Sequence, residues 1–160
     1  MTDKPEIILA VDPGSEQSAY IGWDGYKIRF AHIAENELIL AGLGSLEDMH
    51  TITIEKIESY GMPVGKSVFD TIFFCGRFYE VWTRLNLDNN VEFIPRRQVK
   101  LHLCNSARAK DSNIRQALID RFGPPGTKKS PGLTYGLKKD LWQAFALAVT
   151  FYDQRVEKFE

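Results

Sequence analysis

Glu6-Ile7-Ile8-Leu9-Ala10-Val11-Asp12-Pro13-Gly14 is the stretch on which the fold turns. Residues 6 to 11 make a short apolar run, the pattern of a strand buried on both faces, and Asp12-Pro13-Gly14 stops it with a turn. A carboxylate therefore stands at the end of a central strand, where a protein core ordinarily places no charge. Downstream, Ser18 to Trp23, the reversing pair Asp24-Gly25 and Tyr26 to Ile33 read as a hairpin that follows the first strand. Three antiparallel strands result.

Beyond them, Asn36 is positioned to cap a short helix through Leu43, and Thr51 to Ile54 reads as a fourth strand ending at Glu55. Ser67 to Leu87 has a long helical pattern with two apolar stripes. Phe69, Ile72, Phe73, Gly76 and Tyr79 form one, and Phe74, Phe78, Val81, Trp82 and Leu85 form the other. One stripe packs on the sheet. The other is covered either within the monomer or by a second copy of the same helix in a two-fold dimer. Val91 to Ile94 reads as a fifth strand ended by Pro95. Helices follow at Gln98 to Cys104, at Ser112 to Phe122 and from about Leu137 to Glu157, the last carrying Trp142, Phe145, Ala146, Val149 and Tyr152 at helical spacing. The expected class is α/β, a mixed sheet of five strands with helices packed on it.

A chain of 160 residues, 44% hydrophobic and 26% charged, is expected to form a single domain over residues 1 to 160, and its composition excludes disordered and fibrous classes. The longest nearly apolar stretch, around Ala144 to Tyr152, falls far short of the ~20 residues of a bilayer span. The first six residues carry no apolar signal region, and Cys75 and Cys104 lie far apart without metal-type spacing, which leads to the expectation of a reducing cytoplasm. His32, His50 and His102 form no ligand pattern and are assigned no role.

The net charge of −1 conceals an asymmetry. Residues 1 to 95 carry 15 acidic and 7 basic side chains, residues 96 to 139 carry 2 acidic and 11 basic ones, and the remainder is mildly acidic. The basic span includes Arg96, Arg97, Lys100, Lys110, Lys138 and Lys139 and suits a phosphate backbone, although solvated helix faces produce the same count. Against it stand three acids at element ends: Asp12, Glu55, and Asp140 near the start of the last helix. Strand ends and a helix laid across them can bring such carboxylates together, and the resulting repulsion is relieved by hard divalent cations. Two ions about 3.5–4 Å apart would activate water against a phosphodiester. Each acid also has a plain structural use: Asp12 in shaping a turn, Glu55 as one of two nearby acids with Glu58, and Asp140 as an acid at a helix N-terminus.

Ala10-Val11-Asp12-Pro13-Gly14, Thr53-Ile54-Glu55, Gln98-Val99-Lys100 and Asp140-Leu141-Trp142-Gln143-Ala144-Phe145-Ala146-Leu147-Ala148, in this order, resemble the RuvC-type Holliday junction resolvases of the RNase H-like superfamily, most closely the divergent RuvC-like proteins of phages and prophages. The resemblance spans about Ile7 to Tyr152. It implies an RNase H-like five-stranded mixed sheet with helices on both faces. It also implies a dimeric, Mg2+- or Mn2+-dependent endonuclease that cuts branched DNA. Asp12, Glu55 and Asp140 would be its catalytic metal ligands, with the dimer formed through the helix Ser67 to Leu87. The family carries a further acidic position in the last helix, three residues from another: with Asp140 as the first of the two the second falls on Gln143, which offers a metal only an amide oxygen, and with Asp140 as the second its partner falls on Leu137. Either alignment leaves three carboxylates, so a DNA-structure binder with little catalysis is the alternative. Arg96, Arg97, Lys100, Lys110, Lys138 and Lys139 would contact DNA, and Tyr60 or Phe69 would wedge into an open junction unless they belong to the core. An actin-like ATPase shares the first strands but needs two such domains, for which this chain has no room.

Overall fold

A computed structural model describes residues 5–158. Five strands form one sheet in the order β3-β2-β1-β4-β5. The strands are β1 (Ile8–Asp12), β2 (Gln17–Trp23), β3 (Ile28–Glu35), β4 (Thr51–Lys56) and β5 (Asn90–Pro95). β1 pairs antiparallel with β2, and β2 with β3, whereas β1, β4 and β5 run parallel. The parallel trio is possible because helices supply the crossovers: α1 (Asn36–Gly42) before β4 and α2 (Lys66–Leu85) before β5. Three further helices follow, α3 (Arg96–Cys104), α4 (Asp111–Phe122) and α5 (Leu141–Glu157).

Alternation along β1 divides the core. Ile8 and Ala10 face one layer with Ala19, Ile21 and Trp23 of β2, and α5 lies against them. Leu9 and Val11 face the other with Ile52 and Ile54 of β4, under Ile39 and Leu40 of α1 and Cys75, Phe78 and Trp82 of α2. The sheet thus has helices on both faces, as expected for an α/β protein. α5 is buried at every position from Leu141 to Phe151, because Ala144, Ala146 and Ala148 let it lie close to the sheet while α3 and α4 cover its outer side. Trp23 packs edge-on against Phe122 and Phe145, with ring centroids 5.6 and 5.1 Å apart, tying α4 and α5 to the sheet.

Three details depart from the sequence reading, each for a local reason. Asn36 does not cap α1: it lies inside the helix, and its buried side chain is used elsewhere, as described below. α5 begins at Leu141 and not near Leu137, because Lys139 adopts a left-handed backbone (φ 49°) that a helix cannot propagate through. α3 begins at Arg96, two residues earlier than the apolar pattern suggests, directly after Pro95 at the end of β5. In α2, Thr71, Cys75, Phe78 and Trp82 face inward, and Phe69, Ile72, Phe73 and Tyr79 remain 46 to 65% exposed, so the monomer does not cover the second stripe. Among the described residues no helix is long and apolar enough to cross a membrane.

Candidate active site

The parallel strands β1, β4 and β5 all end at the same edge of the sheet, and α3 starts there. Crevices beyond the carboxyl ends of parallel strands are where open α/β sheets bind ligands. Parallel pairing sets Val11 beside Ile54, so the next residues, Asp12 and Glu55, emerge side by side on the face covered by α5.

The turn after Asp12 is built to hold it. The Gly14 amide donates to Ser18 Oγ (3.1 Å), the Ser18 hydroxyl donates to Asn36 Oδ1 (2.5 Å), and Asn36 Nδ2 donates back to the Gly14 carbonyl (2.8 Å). Ser18 and Asn36 are both buried, and this closed set gives their side chains hydrogen-bond partners inside the fold. Gly14 is required by contact: a Cβ there would stand 2.2 Å from the Gln17 carbonyl oxygen.

The Asp12 and Glu55 carboxyl groups lie within hydrogen-bonding reach of one another. Burial first, then the charge of Glu55 and the bond to it, push the Asp12 carboxyl up to about 8, with Arg96 opposing and Asp140 adding a small repulsion. Burial also raises Glu55, opposed by Arg96 and Lys100. The pair therefore holds a proton at neutral pH, which marks a place short of positive charge.

Part of that charge is supplied internally. Arg96 Nη1 lies 3.7 Å from Glu55 Oε1, and its Nη2 lies 2.9 Å from Asp111 Oδ1. Asp111, the first residue of α4, is a carboxylate that sequence reasoning missed. An acid at a helix start reads as an ordinary dipole partner, and nothing in its spacing tied it to Glu55. Asp140 precedes α5 at its N-cap, exposed, and affects Asp12 through space. Among the described residues no group of three His, Cys, Asp or Glu side chains is arranged to hold a metal ion. The three acids singled out in the sequence are thus an intimate pair and an outlying third. Gln143, in the first turn of α5, is buried and lines an open cavity of about 610 Å³ together with Asp111, Asp140, Lys138 and Lys139. Arg115, one of the cations of the basic span, stacks on Trp142 at the same cavity, 4.8 Å from the ring centroid.

The cations divide into two sets. Arg96 turns inward onto carboxylates, and Arg121 is bound in two places by Asp153, which also receives His102 at 2.7 Å. Arg97, Lys100, Lys110, Lys138 and Lys139 make no ion pair with another described residue. Lys100 is within electrostatic reach of Glu55, and Lys138 and Lys139 flank Asp140.

The donors present suit a hard divalent cation: two adjacent carboxylates with too little positive charge around them, and a third acid and an amide nearby.

A mixed five-stranded sheet of this order, with acids at the carboxyl ends of its parallel strands and a buried helix across them, is an RNase H-like α/β fold. Within that class the chain has the RuvC-type fold. It is similar to the Thermus thermophilus RuvC structure with a TM-score of 0.67 and 15% identity, over 93% of this chain and 96% of that one. It is also similar to T. thermophilus RuvC in complex with Holliday junction substrate, with a TM-score of 0.69 and 15% identity, over 94% and 96% of the two chains. No protein-family model matches the sequence, and no curated protein does.

Proposed function

We propose that this chain is a structure-selective endonuclease that binds branched DNA, four-way junctions among it, and hydrolyses phosphodiesters with the help of Mg2+ or Mn2+. The observation that carries this reading is the half-buried Asp12–Glu55 pair, short of positive charge, at the strand-end crevice of a RuvC-type fold. Asp12 and Glu55 would hold the cation, with Asp140 and the amide oxygen of Gln143 on the side of α5. Bound there, a divalent cation would polarise the phosphodiester and supply hydroxide at neutral pH.

The remaining groups position the substrate. Lys138 and Lys139 border the cavities on either side of Asp140, where a phosphate approaching the pair would lie. Arg97, Lys100 and Lys110 extend the cationic surface along α3 and into the start of α4, and they are open to phosphate because none of them forms an ion pair with another described residue. Arg96, with two carboxylate partners, belongs to the site more than to the DNA surface.

The exposed stripe Phe69, Ile72, Phe73 and Tyr79 supports a two-fold dimer through α2. Such a dimer would offer two equivalent sites to a symmetric junction. Two unpaired cysteines, Cys75 and Cys104, suit work in a reducing cytoplasm.

A second reading, a junction-binding protein with feeble catalysis, is favoured by Gln143 in place of an acid and by the outlying position of Asp140. One experiment separates the two. Labelled four-way, forked and linear duplex DNA are incubated with the protein in Mg2+, in Mn2+ and in chelator, and scored for binding and nicking. Nicking of the branched substrates, dependent on metal and lost in Asp12→Asn with binding retained, is the expected result. Tight, salt-sensitive binding with no nicking under any condition selects the second reading, and full activity of Asp12→Asn rules out the first.

A further inference from the structure

Arg96 occupies a singular place among the eleven cations of residues 96 to 139. It is the first residue of α3, set immediately after β5, and the β4–β5 register pairs Glu55 with Ile94, only two residues earlier. The fold therefore delivers this guanidinium to the open end of β4. Its two terminal nitrogens serve two different elements, Nη1 toward Glu55 at 3.7 Å and Nη2 on Asp111 at 2.9 Å. The two contacts are unequal. At 3.7 Å the approach to Glu55 is an ionic contact longer than a hydrogen bond, whereas 2.9 Å to Asp111 is a full charge-assisted one. The rigid fork can thus leave Glu55 and keep Asp111.

We propose that Arg96 is a resident counter-cation of the Asp12–Glu55 pair, tethered by Asp111, and that a divalent cation binds by competing with Arg96 for Glu55; this rests on the reading of that pair as the metal site. Asp111 then has a defined purpose. It retains the displaced guanidinium close to the site but away from Glu55, where it can meet a phosphate oxygen instead. Arg96 and Asp111 together set the metal affinity, and they keep the pair from lying bare when no metal is present.

The test is a Mn2+ titration of the whole protein without DNA, followed by calorimetry and by the electron paramagnetic resonance of free Mn2+. Arg96→Gln removes the competitor and should lower the Mn2+ dissociation constant about tenfold, the effect of removing one opposing charge at a partly screened site. Asp111→Asn removes the tether, leaves Arg96 to Glu55 alone, and should raise the constant roughly threefold. The same change should do less in the Arg96→Gln background. An Arg96→Gln affinity equal to or weaker than that of the unaltered protein overturns the proposal. So does an Asp111→Asn affinity that is unchanged or tighter, which keeps the test open if the arginine variant fails to fold. The two levels of argument fail differently. Mn2+ binding that is lost in Asp12→Asn but unchanged in Arg96→Gln sinks only the role of Arg96, whereas absence of Mn2+ binding in every variant sinks the metal site with it.

Discussion

Replacing Asp12 by asparagine should change how the stability of the metal-free protein responds to pH. In the folded chain its carboxyl is pushed up to about 8 by burial first and then by Glu55, while an exposed aspartate sits near 3.8. Between those two values the folded protein carries a proton that the unfolded chain has released. Stability therefore falls as pH rises through this window, with a slope approaching ~1.4 kcal/mol per pH unit for one proton. Asparagine keeps a hydrogen-bond donor toward Glu55 and has no proton to lose. The stability advantage of Asp12→Asn over the unaltered protein should then grow by about 2–3 kcal/mol between pH 5 and pH 7, and level off above pH 8. Carboxylates whose values are lowered, Asp24 and Asp153, titrate in more acid solution and cancel in the difference. Urea denaturation of both proteins in chelator, at pH 5, 6, 7 and 8, measures the gap. A gap that stays constant from pH 5 to pH 7 would show that the two carboxylates do not share a proton and would remove the charge deficit on which the functional reading stands.

Two further outcomes follow from packing. Gly14→Ala places a methyl 2.2 Å from the Gln17 carbonyl and must shift backbone, at a cost of about 1–3 kcal/mol in denaturant midpoint analysis, with nicking impaired because the displaced turn carries Asp12; an unchanged midpoint contradicts this account. Phe73→Asp, at a position 65% exposed, should leave folding intact by circular dichroism and convert a dimer to a monomer in sedimentation equilibrium; a monomeric unaltered protein at tens of micromolar, a concentration near which specific dimers of this kind are populated, would refute the dimer.

Much of the fold was legible because its signals are local. The run before Asp12 and the Asp24-Gly25 reversal each act within a few residues. The Asp24 carboxylate accepts from the amides of Tyr26 and Lys27, so the turn does what its sequence says. The value of Asn36 is tertiary: an asparagine before an apolar helix looks like a cap, whereas here its side chain closes a loop 22 residues earlier. At the site, Asp12 and Glu55 could be found because a charge at the end of an apolar strand is anomalous. Arg96 was legible only as a DNA contact in a crowd of cations and Asp111 only as an acid at a helix start, because nothing local ties either to Glu55, beside which the β4–β5 register sets the start of α3.

The same contrast bears on which part of the site can move. Asp12 and Glu55 are fixed by a strand ladder, by burial and by the Ser18–Asn36 closure. Asp140 has none of these: it is exposed, its carboxylate caps no amide of α5, and it follows Lys139 in a left-handed conformation that costs a non-glycine residue about 1–2 kcal/mol. Any closing of a third carboxylate onto the pair is therefore a movement of Asp140 and its lysine neighbours toward a rigid target. On the proposed reading of the pair as a metal site, the strand-borne acids would define where the charge deficit lies, and the segment before α5, which carries Lys138, Lys139 and Asp140 together, would be the element whose adjustment brings a third carboxylate and two cations toward it.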